Sequence, residues 1–271
     1  MKSNLFLYLV GLLTFSWVFA FVIYQFLPNA AEFLPIIYMF LPGLFTLVWS
    51  YLNYGHLRNL KWHLKKPWWK YLLVLYLPVL YYAAITALSV SLFNTETFEY
   101  TEKTFAQLPI VLTIGVMSGL FLIPLALGEE IAWRGFLQDR LINNFGTIKG
   151  ILLLGIVWGL WHWPIALKGH NLPEQFIWIE ILFYYPLICI AFSIFIFVAM
   201  KKTNSIWIAS IFHASNNMVY GIVNSKTEII DPQAFLILRV FFVIIITLLT
   251  VLYFKNYFFA KKKTLPWYWI N

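Results

Sequence analysis

The chain has 271 residues, of which 62% are hydrophobic, 20% aromatic and only 11% charged. So little polar surface could not keep a soluble domain of this size dispersed, so the composition excludes a water-dissolved enzyme and points to a membrane protein. The net charge of +8 does not signal nucleic acid, because the basic residues fall between apolar runs and build no continuous soluble face. They read as topology signals and contacts to anionic lipid.

A hydrocarbon core about 30 Å thick takes about 20 apolar residues of helix. Eight runs qualify: Leu5–Phe26, Leu34–Tyr54, Tyr71–Leu92, Leu108–Leu127, Gly150–Leu167, Phe176–Met200, Ile206–Val223 and Ala234–Phe254. They are continuously apolar instead of alternating, which predicts helices and not a barrel. The expected fold is all-α, a polytopic bundle of about eight transmembrane helices forming a single transmembrane domain over residues 1–271. The first run is too long for a signal-peptide core and has no small-x-small site before Pro28, so no cleavable signal is expected. The lone cysteine, Cys189, lies inside an apolar run and reads as packing.

The loops divide by charge. Arg58, Lys61, Lys65, Lys66 and Lys70 follow the second run. Arg134, Arg140 and Lys149 follow the fourth, Lys201 and Lys202 the sixth, and Lys255 with Lys261 to Lys263 the last. With Lys2 these are most of the 19 basic residues, all on one side. The other side holds Lys103, Lys168 and Lys226 among Glu32, Glu96, Glu99, Glu102, Glu174, Glu228 and Asp231. The positive-inside rule then predicts an integral protein of the cell membrane with both termini cytoplasmic, as an even number of spans requires. The segment His56–Lys70 alternates basic residues with Leu and Trp, and is expected either to lie along the cytoplasmic membrane surface or only to set topology.

A charge at membrane depth costs at least about 2.5 kcal/mol, so each one needs an account. Glu129 and Glu130 sit at the cytoplasmic end of the fourth run. Glu130 and Arg134 share a helix face at a spacing that suits an ion pair. Glu129 is turned about 100° away and has no partner at that spacing, which leaves it for proton chemistry. The alternative is a capping and salt-bridge cluster. His162 lies among aromatic residues in the fifth run, just before Pro164, and a buried structural histidine is the alternative there. His213 and Asn217 share a face of the seventh run and can both donate hydrogen bonds, either to an oxyanion or between helices. Glu180 and Arg239, near the outer ends of two other runs, suggest a structural ion pair.

Glu129-Glu130-x-x-x-Arg134, then Trp158-x-x-x-His162, then His213-x-x-x-Asn217, on successive membrane helices, resembles the CAAX protease and bacteriocin-processing (CPBP, or Abi) family. Type II CAAX prenyl endopeptidases belong to that family. The resemblance covers a catalytic core of about residues 108–223, with Trp158 standing where the family usually has Phe. It implies that Glu129 and His162 activate the attacking water, that His213 and Asn217 hold the oxyanion, and that Glu130 and Arg134 support Glu129. The function so implied is intramembrane hydrolysis of a peptide bond near the cytoplasmic face, in a peptide or protein substrate, lipidated or not, with membrane lipid as the other partner and no nucleic acid. No cofactor is expected. A zinc site formed by Glu129, His162 and His213 is the alternative, although no His-Glu-x-x-His lies on one helix. Two other functions compete: a non-catalytic immunity or scaffold protein of the same fold, and a proton-relaying transporter. The second would need a polar track on both sides of the midplane.

Overall fold

Large apolar side chains face outward in this protein. Phe6, Phe21, Leu52, Leu80, Phe121 and Tyr253 are all more than half exposed. Around hydrocarbon such a surface is the favourable one, provided that every backbone group is paired internally. The computed structural model describes residues 2–55, 60–93, 98–168, 174–225 and 232–259, and these contain helices, turns and coil but no strand. The all-α expectation is met, and the protein is an integral membrane protein.

The first predicted run is α1 (Lys2–Phe26). The second breaks at Met39 and Phe40 into α2 (Leu34–Tyr38) and α3 (Leu41–Tyr54). Gly55 ends α3 with φ of +69°, the left-handed conformation that closes a helix C-terminus. The third run is α4 (Trp69–Phe93). The fourth is the first part of a longer rod, in which α5 (Phe98–Glu130) passes directly into a π-helical segment (Ile131–Leu137) and then α6 (Gln138–Phe145). The fifth is α7 (Thr147–Trp161) with the single turn α8 (Trp163–Ala166). The sixth comprises the short α9 (Ile177–Ile179), a second π segment (Glu180–Tyr184) and α10 (Tyr185–Met200). The seventh and eighth are α11 (Ile206–Ser225) and α12 (Pro232–Tyr253), followed by the short α13 (Lys255–Phe259).

Five helical stretches among the described residues are long and apolar enough to cross a membrane: Leu5–Phe26, Leu34–Tyr54, Trp69–Ser89, Ile177–Met200 and Leu236–Tyr253. The three predicted runs outside this set are those that carry the polar motifs, in α5, α7 and α11. In α11 the inward polar residues His213, Asn216 and Asn217 lower the hydropathy, and α7 is cut short by the break at His162.

Two features differ from expectation. The acidic pair does not sit at a helix end, because the rod runs on past it to Phe145. Nor does the basic strap after α3 simply lie on the surface. Leu60 and Lys61 turn inward and are buried. Lys61 Nζ donates to the Arg134 carbonyl at 3.1 Å and to Asp139 Oδ1 at 2.8 Å. The Lys61 carbonyl accepts from Ile206 N, and the Trp62 carbonyl from Trp207 Nε1. The strap thus ties the π segment to the start of α11, while Trp62, Leu64 and Trp68 stay exposed. His56 to Asn59, Glu96, Lys226, Glu228, Asp231 and Lys261 to Lys263, which enter the charge asymmetry or the surface segment, lie outside the described residues.

Helix α11 packs along α5 and α4, and α10 along α7 and α12. The start of α3 also approaches α5 closely. A Cβ on Gly128 would lie 2.7 Å from the Met39 carbonyl oxygen and 3.0 Å from Phe40 Cα. Only glycine permits this contact, and it sets the backbone immediately before Glu129. The largest apolar cluster joins α1, α2, the π segment and α7 through Tyr8, Leu12, Tyr38, Trp133, Phe136, Trp158 and Trp161. Within it the Tyr38 hydroxyl donates to the Trp161 carbonyl at 3.0 Å. Glu180 and Arg239 are both buried. The Arg239 guanidinium is caged by tyrosines, 3.9 Å from the Tyr220 ring centre and 5.0 Å from that of Tyr184.

Candidate active site

The i,i+4 geometry of the rod brings Arg134 Nη1 to 3.1 Å from Glu130 Oε1, both side chains fully buried, as the spacing predicted. Removing two such charges from water is costly unless further partners satisfy them. Arg134 Nη2 lies 3.4 Å from Ser193 Oγ, and its guanidinium stacks 4.3 Å from the Trp158 ring centre. Glu130 Oε1 also receives a hydrogen bond from His213 Nδ1 at 2.9 Å.

Glu129 does have an i+4 partner, contrary to the sequence reading. Trp133 Nε1 donates to Glu129 Oε2 at 3.2 Å, and Trp158 Nε1 donates to the same oxygen at 2.8 Å. The pairing escaped a search for opposite charges because the partner is an indole. Its neighbour Oε1 faces His213 Nε2 at 3.8 Å. The His213 imidazole therefore spans the two carboxylates, one nitrogen toward each. The π segment begins directly after this pair, and Gln138 N bonds the Trp133 carbonyl five residues back. Such widened turns recur at functional sites.

His162 owes its orientation to a break in the helix. Pro164 has no N–H, and His162 N bonds the carbonyls of Gly159 and Leu160. The Trp158 carbonyl is then open to the His162 ring, and Nδ1 lies 2.8 Å from it. Donation from Nδ1 leaves Nε2 with the lone pair that a base needs. The ring stacks on Tyr185 with centroids 4.4 Å apart. Cys189, buried as expected, has its Sγ 3.9 Å from His162 Nδ1.

Glu129, Glu130, Arg134 and His213 thus form one directly connected cluster. His162 adjoins it across Trp158, whose ring centre is 6.1 Å from that of His162 and 5.3 Å from that of His213. Asn217 lies one turn beyond His213, half-buried, and accepts a hydrogen bond from Asn216 Nδ2 at 3.2 Å. Trp133, Trp158, Ser193 and Asn216 are the participants that the sequence reading did not assign. The first two stand four residues from a motif residue, which is the signal that could have found them.

Among the described residues no three His, Cys, Asp or Glu side chains are grouped as a metal would need, Glu129, His162 and His213 included. Glu129 Oε2 is instead engaged by two indole N–H groups, which are donors only.

The helices that hold this cluster were compared with known proteins. Residues 105–219 match the family of Rce1-like type II CAAX prenyl endopeptidases. The resemblance drawn from the three motifs is borne out, and all three lie inside the Rce1-like segment. Over 149 residues the chain is 29% identical to CAAX prenyl protease 2 of Methanococcus maripaludis, covering 52% of this chain and 52% of that protein. The match therefore spans about half the length of each. What lies outside the Rce1-like segment includes Tyr38, Gly43 and Lys61, each of which touches it.

Proposed function

We propose that this protein is an intramembrane endopeptidase in which Glu129 activates a water molecule, without a metal, for attack on a peptide carbonyl. The observation that carries the reading is the asymmetry of Glu129. Its Oε2 is immobilised by two indole donors, while Oε1 is turned toward His213. A carboxylate fixed at one oxygen presents the other in a set position, which is what a general base requires. Glu129 Oε1 takes the proton as the water oxygen bonds to the carbonyl carbon, and His162 Nε2 holds the water's second hydrogen. His213 and Asn217 donate to the oxyanion that forms. Collapse of the tetrahedral intermediate breaks the C–N bond, and Glu129 returns its proton to the leaving amine. Glu130 and Arg134 hold His213 in place.

The Rce1-like match and the name of the relative favour a prenylated peptide as substrate, and the basic loops favour its presentation from the cytoplasmic side. The test uses purified protein in liposomes with an internally quenched peptide ending in a farnesylated CAAX sequence, beside the same peptide without the lipid. Glu129→Gln is expected to lower turnover at least about 100-fold, the scale of losing an essential acid–base group, with an unchanged unfolding midpoint. Wild-type cleavage by this variant would refute the reading.

A further inference from the structure

On the endopeptidase reading, Asn217 must present its amide N–H₂ to the oxyanion, and an amide can equally well turn its oxygen there. The neighbouring residues bear on that choice. The buried Tyr82 hydroxyl on α4 lies 3.2 Å from Asn216 Oδ1, and Asn216 Nδ2 lies 3.2 Å from Asn217 Oδ1. Helix α11 is pinned against α4 one residue earlier, where Ser215 Oγ donates to the Leu75 carbonyl at 2.6 Å. Asn216 also borders an apolar cavity of about 100 Å³ between α4, α10 and α12, lined by Leu77, Pro78, Phe192 and Phe212.

We infer that Tyr82 and Asn216 are positioning residues that set the orientation of the Asn217 amide. The Tyr82 hydroxyl oxygen accepts from the Arg239 guanidinium, which can only donate, so its own hydrogen is directed at Asn216 and makes that end of the amide the oxygen. The other end is then N–H₂, so the Asn217 atom facing it is the oxygen, and the Asn217 N–H₂ points away, toward the reacting carbonyl. Each link uses the fixed donor and acceptor inventory of its side chain. The relay also explains why two adjacent asparagines occupy a membrane helix, where each uncompensated amide is costly.

Asn216→Asp inverts the relay without changing size. An ionised carboxylate only accepts, so it would bind both the Tyr82 hydroxyl and the Asn217 N–H₂, drawing the donor away from the oxyanion. With the farnesylated quenched peptide, Asn216→Asp is expected to lower kcat to the level of Asn217→Ala, about 100-fold below wild type, the scale of losing one oxyanion donor, with KM within about twofold. Tyr82→Phe, which frees the amide to turn without forcing it, is expected to lower kcat about threefold. In an Asn217→Ala background neither change should cost anything more, whereas a purely structural defect would persist there. Additive losses, or wild-type kcat in both variants while Asn217→Ala is impaired, would overturn the relay alone. Wild-type activity in Asn217→Ala would remove the oxyanion role and the relay with it. An inactive wild type would remove the endopeptidase reading beneath both. If Asn216→Asp does not fold, Tyr82→Phe in the two backgrounds decides the matter.

Discussion

The indole N–H of Trp158 points at Glu129 Oε2 from 2.8 Å away, joining α7 to the end of α5. The resembled motif usually has Phe at position 158, but a phenyl ring cannot make this bond. A hydrogen bond to a charged acceptor is worth about 1.5–3 kcal/mol. Trp158→Phe is therefore expected to lower kcat about 10- to 100-fold while the apolar packing holds. A stopped assay on the lipidated peptide measures this, and wild-type kcat in the variant would show that Trp133 alone suffices.

The buried Glu130–Arg134 pair is expected to behave differently when one partner or both are removed. Arg134→Met strands a carboxylate in the bundle, which costs about 3–5 kcal/mol. Adding Glu130→Gln removes the stranded charge and should recover a large part of that stability. Activity should not return, because Glu130 also holds His213 Nδ1. Cys189 is the only cysteine and is buried, so the temperature at which its thiol becomes reactive reports unfolding directly.

Gly128→Ala tests the approach of α3 to α5. The added Cβ would meet the backbone at Met39 and Phe40, which cannot rotate away. Overpacking of this kind costs about 1–3 kcal/mol, and the thiol-exposure midpoint should fall accordingly. Gly221→Ala on α11 is the control. Among the described residues nothing beyond its own turn lies within 4 Å of a Cβ there, so a neutral or slightly stabilising effect of up to about 1 kcal/mol is expected from helix propensity.

Topology is tested in a Cys189→Ala background with an impermeant maleimide. Lys66→Cys should react only in inside-out vesicles and Lys168→Cys only in right-side-out ones, if the basic loops face the cytoplasm. The reverse pattern would invert the predicted orientation.

Much of this was legible in the chain. The ends of α1, α3 and α10 fall at or next to the boundaries read from hydropathy, because lipid imposes a length on an apolar helix. The Glu130–Arg134 bond followed from helical spacing alone. What escaped were contacts whose chemistry is not written as charge. Trp133 and Trp158 looked like bulk aromatics until their N–H groups were seen to meet one carboxylate oxygen. Lys61 looked like a surface cation because its two acceptors lie on a rod more than 70 residues away, the Arg134 carbonyl and Asp139. The unbroken passage of α5 into the π segment runs through Gly128 and Gly135, neither of which ends a helix. Gly128 instead supplies a close helix crossing, and Gly135 faces Leu60 of the strap.

The kink at His162 leaves the Trp161 carbonyl without a helical partner, since Ile165 N turns to His162 instead. Tyr38 fills that vacancy from outside the matched residues, as Gly43 and Lys61 support the rod nearby. The motif-bearing helices therefore cannot be excised as a cassette. Grafted onto a foreign anchor, they would turn a bare carbonyl toward oil and open a groove along Gly128, so any transplant must carry the inner faces of the first two spans with it.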